Sequence, residues 1–473
     1  MILYRYRTIQ NALLEIENGT FYFSPRDEVN DPLEGYVRVF WQGDKAAWEG
    51  LMKYYICSVY QAIEMYLLQC NEGLLHQKSL IIDLHRFDNV PLGKILKELG
   101  EAFLRESIVQ EIAEFYGNND LKVLENELRF IFRLVHIKAV RQCIKVLQGL
   151  KTIPEEEAAR LLKLFEIPKE SSLHSVLKTN TLLSSRERAV LFQVAEETAS
   201  DLFEYQFILK GIRDGMFLYG KKQNENEEII ETDKEAYFHR NWMAIAIDFP
   251  KIYVEQLKNV IYPNSFIVCF STKNDDSAMW GNYAESHKGV CLVYETDTEN
   301  HIVLDGKQKI SLVPKAVKYH ECVIERNFFI SLGGLTYSQY KSWLTGSDGV
   351  SSYINTYKDT KAWREKYWDD YETKTYNKLI AWEHEAEYRI DLSNAFYSYQ
   401  TPDSRILKYD PKYLKGVIFG IKTSEYDKMR ILKLILEQSE NLVDFSFYQA
   451  EYDDEKETIT VRKKNFWNLN ICR

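Results

Sequence analysis

The sequence has no C-x-x-C pair. Its seven cysteines, Cys57, Cys70, Cys143, Cys269, Cys291, Cys322 and Cys472, are odd in number and widely scattered, so neither a zinc knuckle nor a disulfide framework is indicated. His76, His85, His136 and His174 are too far apart and too irregular for a metal site. No apolar run approaches the roughly 20 residues that span a bilayer. The opening M-I-L-Y-R-Y-R also lacks the apolar core of a signal peptide. These absences point to a cytoplasmic protein without a membrane partner or a bound metal. A formal net charge of −10 provides no global field to attract nucleic acid, though a local basic patch remains open. What the chain has in excess is tyrosine, 32 residues in 473, a length ample for a large core.

The stretch from Ser265 to Glu295 reads as strand, polar loop, helix, glycine stop and second strand. Phe266 to Phe270 is too short and too β-branched for a helix, and Ser277 is placed to cap the helix that follows. Trp280, Ala284 and His287 fall on one helical face with Tyr283 beside them. Gly289 is expected to end the helix at positive φ. At the N-terminus Tyr4 and Tyr6 alternate with Arg5 and Arg7 on a strand. Thr8 caps a helix that Asn18-Gly19 ends, and Thr20 to Ser24 forms another strand. Asn30 and Asp31 read either as a turn binding its own backbone or as a loop folded over a ligand.

Between Trp48 and Gly220 proline nearly vanishes and Leu, Ile, Glu and Lys recur at helical spacing. No repeat period emerges, so this block reads as a helical insertion for a regulatory partner or for assembly. Asn224 to Asp233 is an acidic loop. Further on, Tyr337, Tyr340 and Trp343, then Trp363, Tyr367, Trp368 and Tyr371, have helical spacing, and packing accounts for them more simply than a base-stacking platform. Ala386, Tyr388 and Ile390 alternate with Glu385, Glu387 and Arg389, which puts both glutamates on one strand face. Charged alternation of this kind is also common on solvated strand edges. The expected division is 1–45 and 246–450 as an α+β core, 46–245 as the helical insertion, and 451–473 as a peripheral tail.

Three separated motifs carry a family resemblance. C-F-S followed by M-W-x-x-Y-A-x-x-H-K-G-V-x-L, the N-terminal Tyr4-Arg-Tyr6 with Phe23-Ser-Pro25 and Asn30-Asp-Pro-Leu-Glu34, and Trp382-Glu-His-Glu-Ala-Glu-Tyr-Arg389 together resemble a bacterial family catalogued as domain of unknown function 2971. The order strand arginine, Ser-Thr, Glu-x-Glu also resembles the arginine-specific branch of the ADP-ribosyltransferases. That resemblance implies a split β-sheet core built from both chain ends and cleavage of NAD with transfer of ADP-ribose to a macromolecule, or to water as in an NAD glycohydrolase. Arg5 or Arg7 would bind phosphate, and Ser271 and Thr272 would brace the ribose and the catalytic glutamate. Glu387 would stabilise the oxocarbenium-like cation and Glu385 would serve the macromolecular acceptor or water, with Tyr4, Tyr6, Asn30, Asp31 and Arg389 around the ligand. Trp280, Tyr283 and His287 would wall the nicotinamide or adenine. Ser271-Thr-Lys273 lacks the third serine of that pattern. Bacterial enzymes of this class are often toxins or phage-defence effectors. A nuclease using Glu385, Glu387 and Lys378, and a silent nucleotide-binding sensor or adaptor, are the rival readings.

Overall fold

The computed structural model describes all residues except 32, 70–79, 167–182, 214–241, 243, 358, 394–397, 439–443 and 465–473. His76, His174, the acidic loop Asn224 to Asp233 and the last nine residues therefore lie outside the described residues. The protein is mixed α/β, and the chain divides into two compact units. Unit 1 is Met1–Val37, Pro263–Ile324 and Asp369–Arg473; unit 2 is Arg38–Tyr262 and Glu325–Trp368. An α/β unit from the two chain ends and a long helical unit were both expected. The borders differ, because Phe249–Ile261 and the aromatic stretch before Trp368 belong to the helical unit.

Unit 1 is built on an eight-stranded sheet. In chain order its strands are β1 (Ile2–Arg7), β2 (Ser265–Ser271), β3 (Val290–Glu295), β4 (Lys315–Ala316), β5 (Glu387–Ser393), β6 (Leu414–Phe419), β7 (Ser446–Asp453) and β8 (Thr458–Lys464). Their spatial order is β8-β7-β6-β3-β1-β2-β5-β4. Residues up to Lys464 thus form one edge of the sheet, where a peripheral tail was expected from residue 451 on. Alternation along β7 and β8, with Phe447, Ala450 and Ile459 buried, supplies the reason.

One face of the sheet buries Leu3, Phe270, Leu292, Ile390 and Val417 against α1 (Ile9–Asn18) and later elements, including Ile431 and Ile435 of the Glu425–Glu437 helix. The side chain of Thr8 accepts from the Asn11 amide at the start of α1, and Gly19 closes it at φ 60°, as its sequence foretold. The opposite face buries Tyr6, Trp280, Cys291 and Ile418.

Two features of the sheet prepare the site. β1 pairs with β3 over all six of its residues, but with β2 only at Tyr4 and Ser271. Beyond that pair β1 and β2 part. Ser24 takes the vacated edge, exchanging backbone hydrogen bonds with Ile267 of β2 at 2.9 and 3.0 Å. β5 is also paired to β2 along its length, with Glu387 opposite Ser271. Tyr4, Ser271 and Glu387 therefore form one row across three strands.

Helix α2 is Ser277–Tyr283, shorter than its sequence suggested, and Asp276, not Ser277, caps it. After Ala284 the chain makes a left-handed run, with φ of 51°, 54° and 71° at Glu285, Ser286 and His287. Gly289 follows that run but has no positive φ. Its requirement is closeness: a Cβ there would lie 2.2 Å from the Arg7 carbonyl. The sequence marked the right glycine for the wrong reason.

Unit 2 is helical. Lys45–Gln69 contributes Leu51, Tyr55 and Val59 to its core, and Glu125–Gly149 contributes Ile131, Val135 and Val140. His136 is a core residue, bonded to Tyr55 Oη at 2.8 Å and the Ile245 carbonyl at 2.6 Å; burial and the Arg133 charge hold it down at about 3. Trp343 stacks on Tyr54 with centroids 3.7 Å apart, and Tyr340 packs on Trp363. Those aromatic rings are packing residues. Among the described residues no helix is long and apolar enough to cross a membrane.

Gly289→Ala places a methyl group against backbone. We expect destabilisation of about 1–3 kcal/mol, the usual cost of overpacking, read as a lower urea midpoint with an unchanged slope.

Candidate functional site

A pocket of about 280 Å³ opens where β1 and β2 part. Tyr4 to Arg7 line one wall and Cys269, Phe270 and Ser271 the other. Asn30 and Glu34 close it from the N-terminal loop, Met279 and Tyr283 from α2, and Lys378, Glu385 and Glu387 from the far side.

Arg5 and Arg7 reach the pocket from the α1 face of the sheet, the face away from Tyr4 and Glu387. Arg5 Nε and Arg7 Nε share Glu15 Oε2, at 3.1 and 2.9 Å, and the other Glu15 oxygen accepts from Tyr294 at 2.7 Å. Arg5 is 5% exposed. Its guanidinium fills the gap between the strands, donating to the Cys269 carbonyl at 3.3 Å and lying over Phe21 and Phe270. Arg7 is the more accessible of the two. Two cations on one carboxylate leave a surplus positive charge on that face.

The wall that carries Glu387 is anionic. Arg389, fully buried, holds Glu387 through Nε–Oε1 at 2.7 Å and Nη2–Oε2 at 2.8 Å, and reaches Glu34 Oε1 at 2.7 Å. Lys378 Nζ lies 2.5 Å from Glu385, 3.3 Å from Glu387 and 3.5 Å from Glu34. Three carboxylates face two cations. For Glu387, burial alone would raise the proton affinity, but Arg389 and Lys378 outweigh it and hold the group at about 2, against an ordinary 4.5. Glu34 moves the other way, because burial and the neighbouring Glu387 outweigh Arg389. Lys378 is held above its ordinary value because its three glutamates outweigh burial.

The two glutamates meet by a different route from the expected one. Glu385 ends a 3₁₀ turn (Ile380–Glu385), Ala386 takes a left-handed conformation at φ 43°, and only Glu387 starts β5. The turn, and not strand alternation, brings both carboxylates to Lys378. Ser271 does brace this segment, through backbone: its Oγ donates to the Glu385 carbonyl at 2.7 Å and accepts from the Lys273 amide at 3.0 Å. Exposed Thr272 bonds the Ala386 carbonyl through both its amide and its hydroxyl.

Tyr283 donates to Glu385 Oε1 at 2.6 Å and accepts from Asn30 Nδ2 at 2.6 Å. Asp31 Oδ1 accepts from the Leu33 amide, so the turn reading of Asp31 holds. Trp280 is not a pocket wall. It is fully buried, edge-on to Tyr6 at 5.1 Å, with Nε1 donating to the Asn274 carbonyl. His287 also lies outside the lining; its amide closes the left-handed turn onto the Trp280 carbonyl. Arg389 is the clamp of the glutamates and lies beneath the pocket.

Sequence reading missed Glu15 and Cys269 as neighbours of the site, and gave Glu34 no role although it stood in the quoted N-D-P-L-E motif. No spacing rule ties residue 34 to residue 387. Glu34, Cys269 and Glu387 approach closely enough to suggest metal ligands. The donor set does not fit one. Arg389 and Lys378 already hold the carboxylates, and burial beside Glu387 keeps the Cys269 thiol protonated.

Because Glu387 titrates lower in the folded protein, the stability that its ionisation contributes is complete above its ordinary 4.5 and is lost as the pH falls towards about 2. Glu34, displaced upward, works in the opposite sense. Arg389→Met leaves two buried carboxylates short of a cation and is expected to cost about 3–5 kcal/mol. Urea midpoints across that acid range should fall less steeply for R389M than for wild type.

No curated protein and no solved structure is significantly similar to the chain. One family model does match, over residues 279–390. It takes in Tyr283, Lys378, Glu385, Glu387 and Arg389, and leaves Arg5, Glu34 and Ser271 outside. Over this segment, about a quarter of its length, the chain is similar to the family described as Protein of unknown function (DUF2971).

Proposed function

We propose that unit 1 is an ADP-ribosyltransferase-type enzyme, which cleaves NAD between nicotinamide and ribose and passes ADP-ribose to an acceptor. The observation that carries this reading is the polarity of the pocket. Surplus positive charge at Arg5 and Arg7 suits a phosphate, and surplus negative charge at Glu34, Glu385 and Glu387 suits a cationic ring. The nicotinamide mononucleotide half of NAD has this distribution. A volume of about 280 Å³ is near the lower end for ligand pockets, roughly 300–1,000 Å³. The pocket would take that half and leave the adenosine half outside.

Heterolysis moves the bonding pair to nicotinamide, which loses its ring charge, and leaves positive charge at the ribose anomeric carbon. Glu387, held anionic, lies on the wall where that charge would develop, as carboxylates do in glycosidases. Tyr4 and Tyr283 provide the aromatic surface in place of buried Trp280. The nuclease reading gains nothing from the geometry, because a metal would have to displace Lys378 or Arg389 from the same oxygens.

Nicotinamide release from NAD tests the proposal. Glu387→Gln should lower the rate roughly 10²–10³-fold while the melting temperature shows that the protein stays folded. Arg7→Gln should raise KM more than it lowers kcat, as loss of a phosphate contact does. A folded Glu387→Gln protein with the wild-type rate would sink the proposal.

A further inference from the structure

The resemblance that suggests NAD cleavage leaves the acceptor at Glu385 open between a macromolecule and water. The burial of Glu385 favours one of them. It is 2% exposed and Glu387 is 4% exposed. Above Glu385 stands a strap of two hydrogen bonds, Asn30 to Tyr283 and Tyr283 to the carboxylate, each 2.6 Å. Asn30 comes from the N-terminal loop and Tyr283 from α2, so the strap joins opposite rims of the pocket. Beneath it Lys378 Nζ takes the second carboxylate oxygen, and Ser271 fixes the backbone carbonyl.

We infer that the acceptor is water and that the enzyme is an NAD glycohydrolase. This rests on the NAD reading above. A pocket of this volume, filled by nicotinamide and ribose, leaves no channel for a protein side chain or a nucleobase to reach Glu385. A water molecule fits. Each carboxylate oxygen of Glu385 accepts one of the bonds just described and retains an acceptor position, and a buried water needs two to four polar partners.

The balance is simple. The anomeric carbon–nitrogen bond breaks, and its electron pair leaves with nicotinamide. A lone pair of water forms the new carbon–oxygen bond, and the water proton passes to Glu385 and then to solvent. The products are nicotinamide, ADP-ribose and one proton.

The experiment incubates the full chain with NAD labelled in its ADP-ribose moiety, alone, with cell extract, with agmatine as a guanidinium acceptor, and with methanol. Nicotinamide and free ADP-ribose should appear one to one in the first three mixtures. Methanol, nearly as small as water, should divert part of the product to methyl ADP-ribose. Label on protein, nucleic acid or agmatine would overturn the water assignment and leave NAD cleavage standing. Absence of nicotinamide release in every mixture would overturn the NAD reading itself, and the water assignment with it.

Discussion

A layer of ionic groups along one face of β5, buried at the pocket end and half-buried at the other, is the constraint on which unit 1 depends. Glu387, Arg389 and Asp391 project from alternate residues of the strand, and the layer is completed by Glu34, Arg26, Lys374, Lys378 and Glu385. Four carboxylates and four cations balance one another. At the far end Tyr371 donates to Asp391 at 2.8 Å, and Arg26 donates to Ser265 Oγ through two nitrogens at 3.1 Å. There burial moves Asp391 up to about 6 and Lys374 down to about 7. Isolated, any of these charges would be intolerable in such a place. Paired, they contribute little net stability but make alternatives costly, because shifting β5 by one residue would turn every charge into the apolar core.

The same layer explains how the pocket is shaped. Its charges are not evenly spread: the pocket end carries one carboxylate too many and the Arg26 end one cation too many. The loop that supplies Asn30 is held at both of its ends by this layer, through Arg26 at the start and Glu34 at the finish. Gly35 is favoured where the loop turns back, because its φ of 58° is a left-handed conformation that side chains rarely adopt.

Local patterns in the sequence were legible where the physics is local. The Thr8 and Gly19 caps, the alternation of β1 and the buried run of β2 follow from neighbouring residues alone. The Glu385–Glu387 pair was legible as a pair but not as a geometry, because alanine at positive φ leaves no mark in composition. Trp280 and Tyr283 looked equivalent on a helical wheel. Their difference, one in the core and one on the rim, depends on Tyr6 and Glu385, which are hundreds and about a hundred residues away respectively. β8 was hidden by its lysines, since an edge strand needs an apolar residue only on its covered face.

The pairing of β1 has a consequence for how the chain is made. Residues 2–7 are synthesised long before their partners, residues 290–295 on one side and Ser271 on the other. At roughly 5–20 residues per second, the first strand waits some 15–60 seconds for a neighbour. Most of the helical unit, whose contacts include many between helices close in sequence, is synthesised in that interval. The pocket, drawn from residues 4 to 387, therefore cannot form until Glu387 has been made, and a product that stops before it lacks one wall of the cleft.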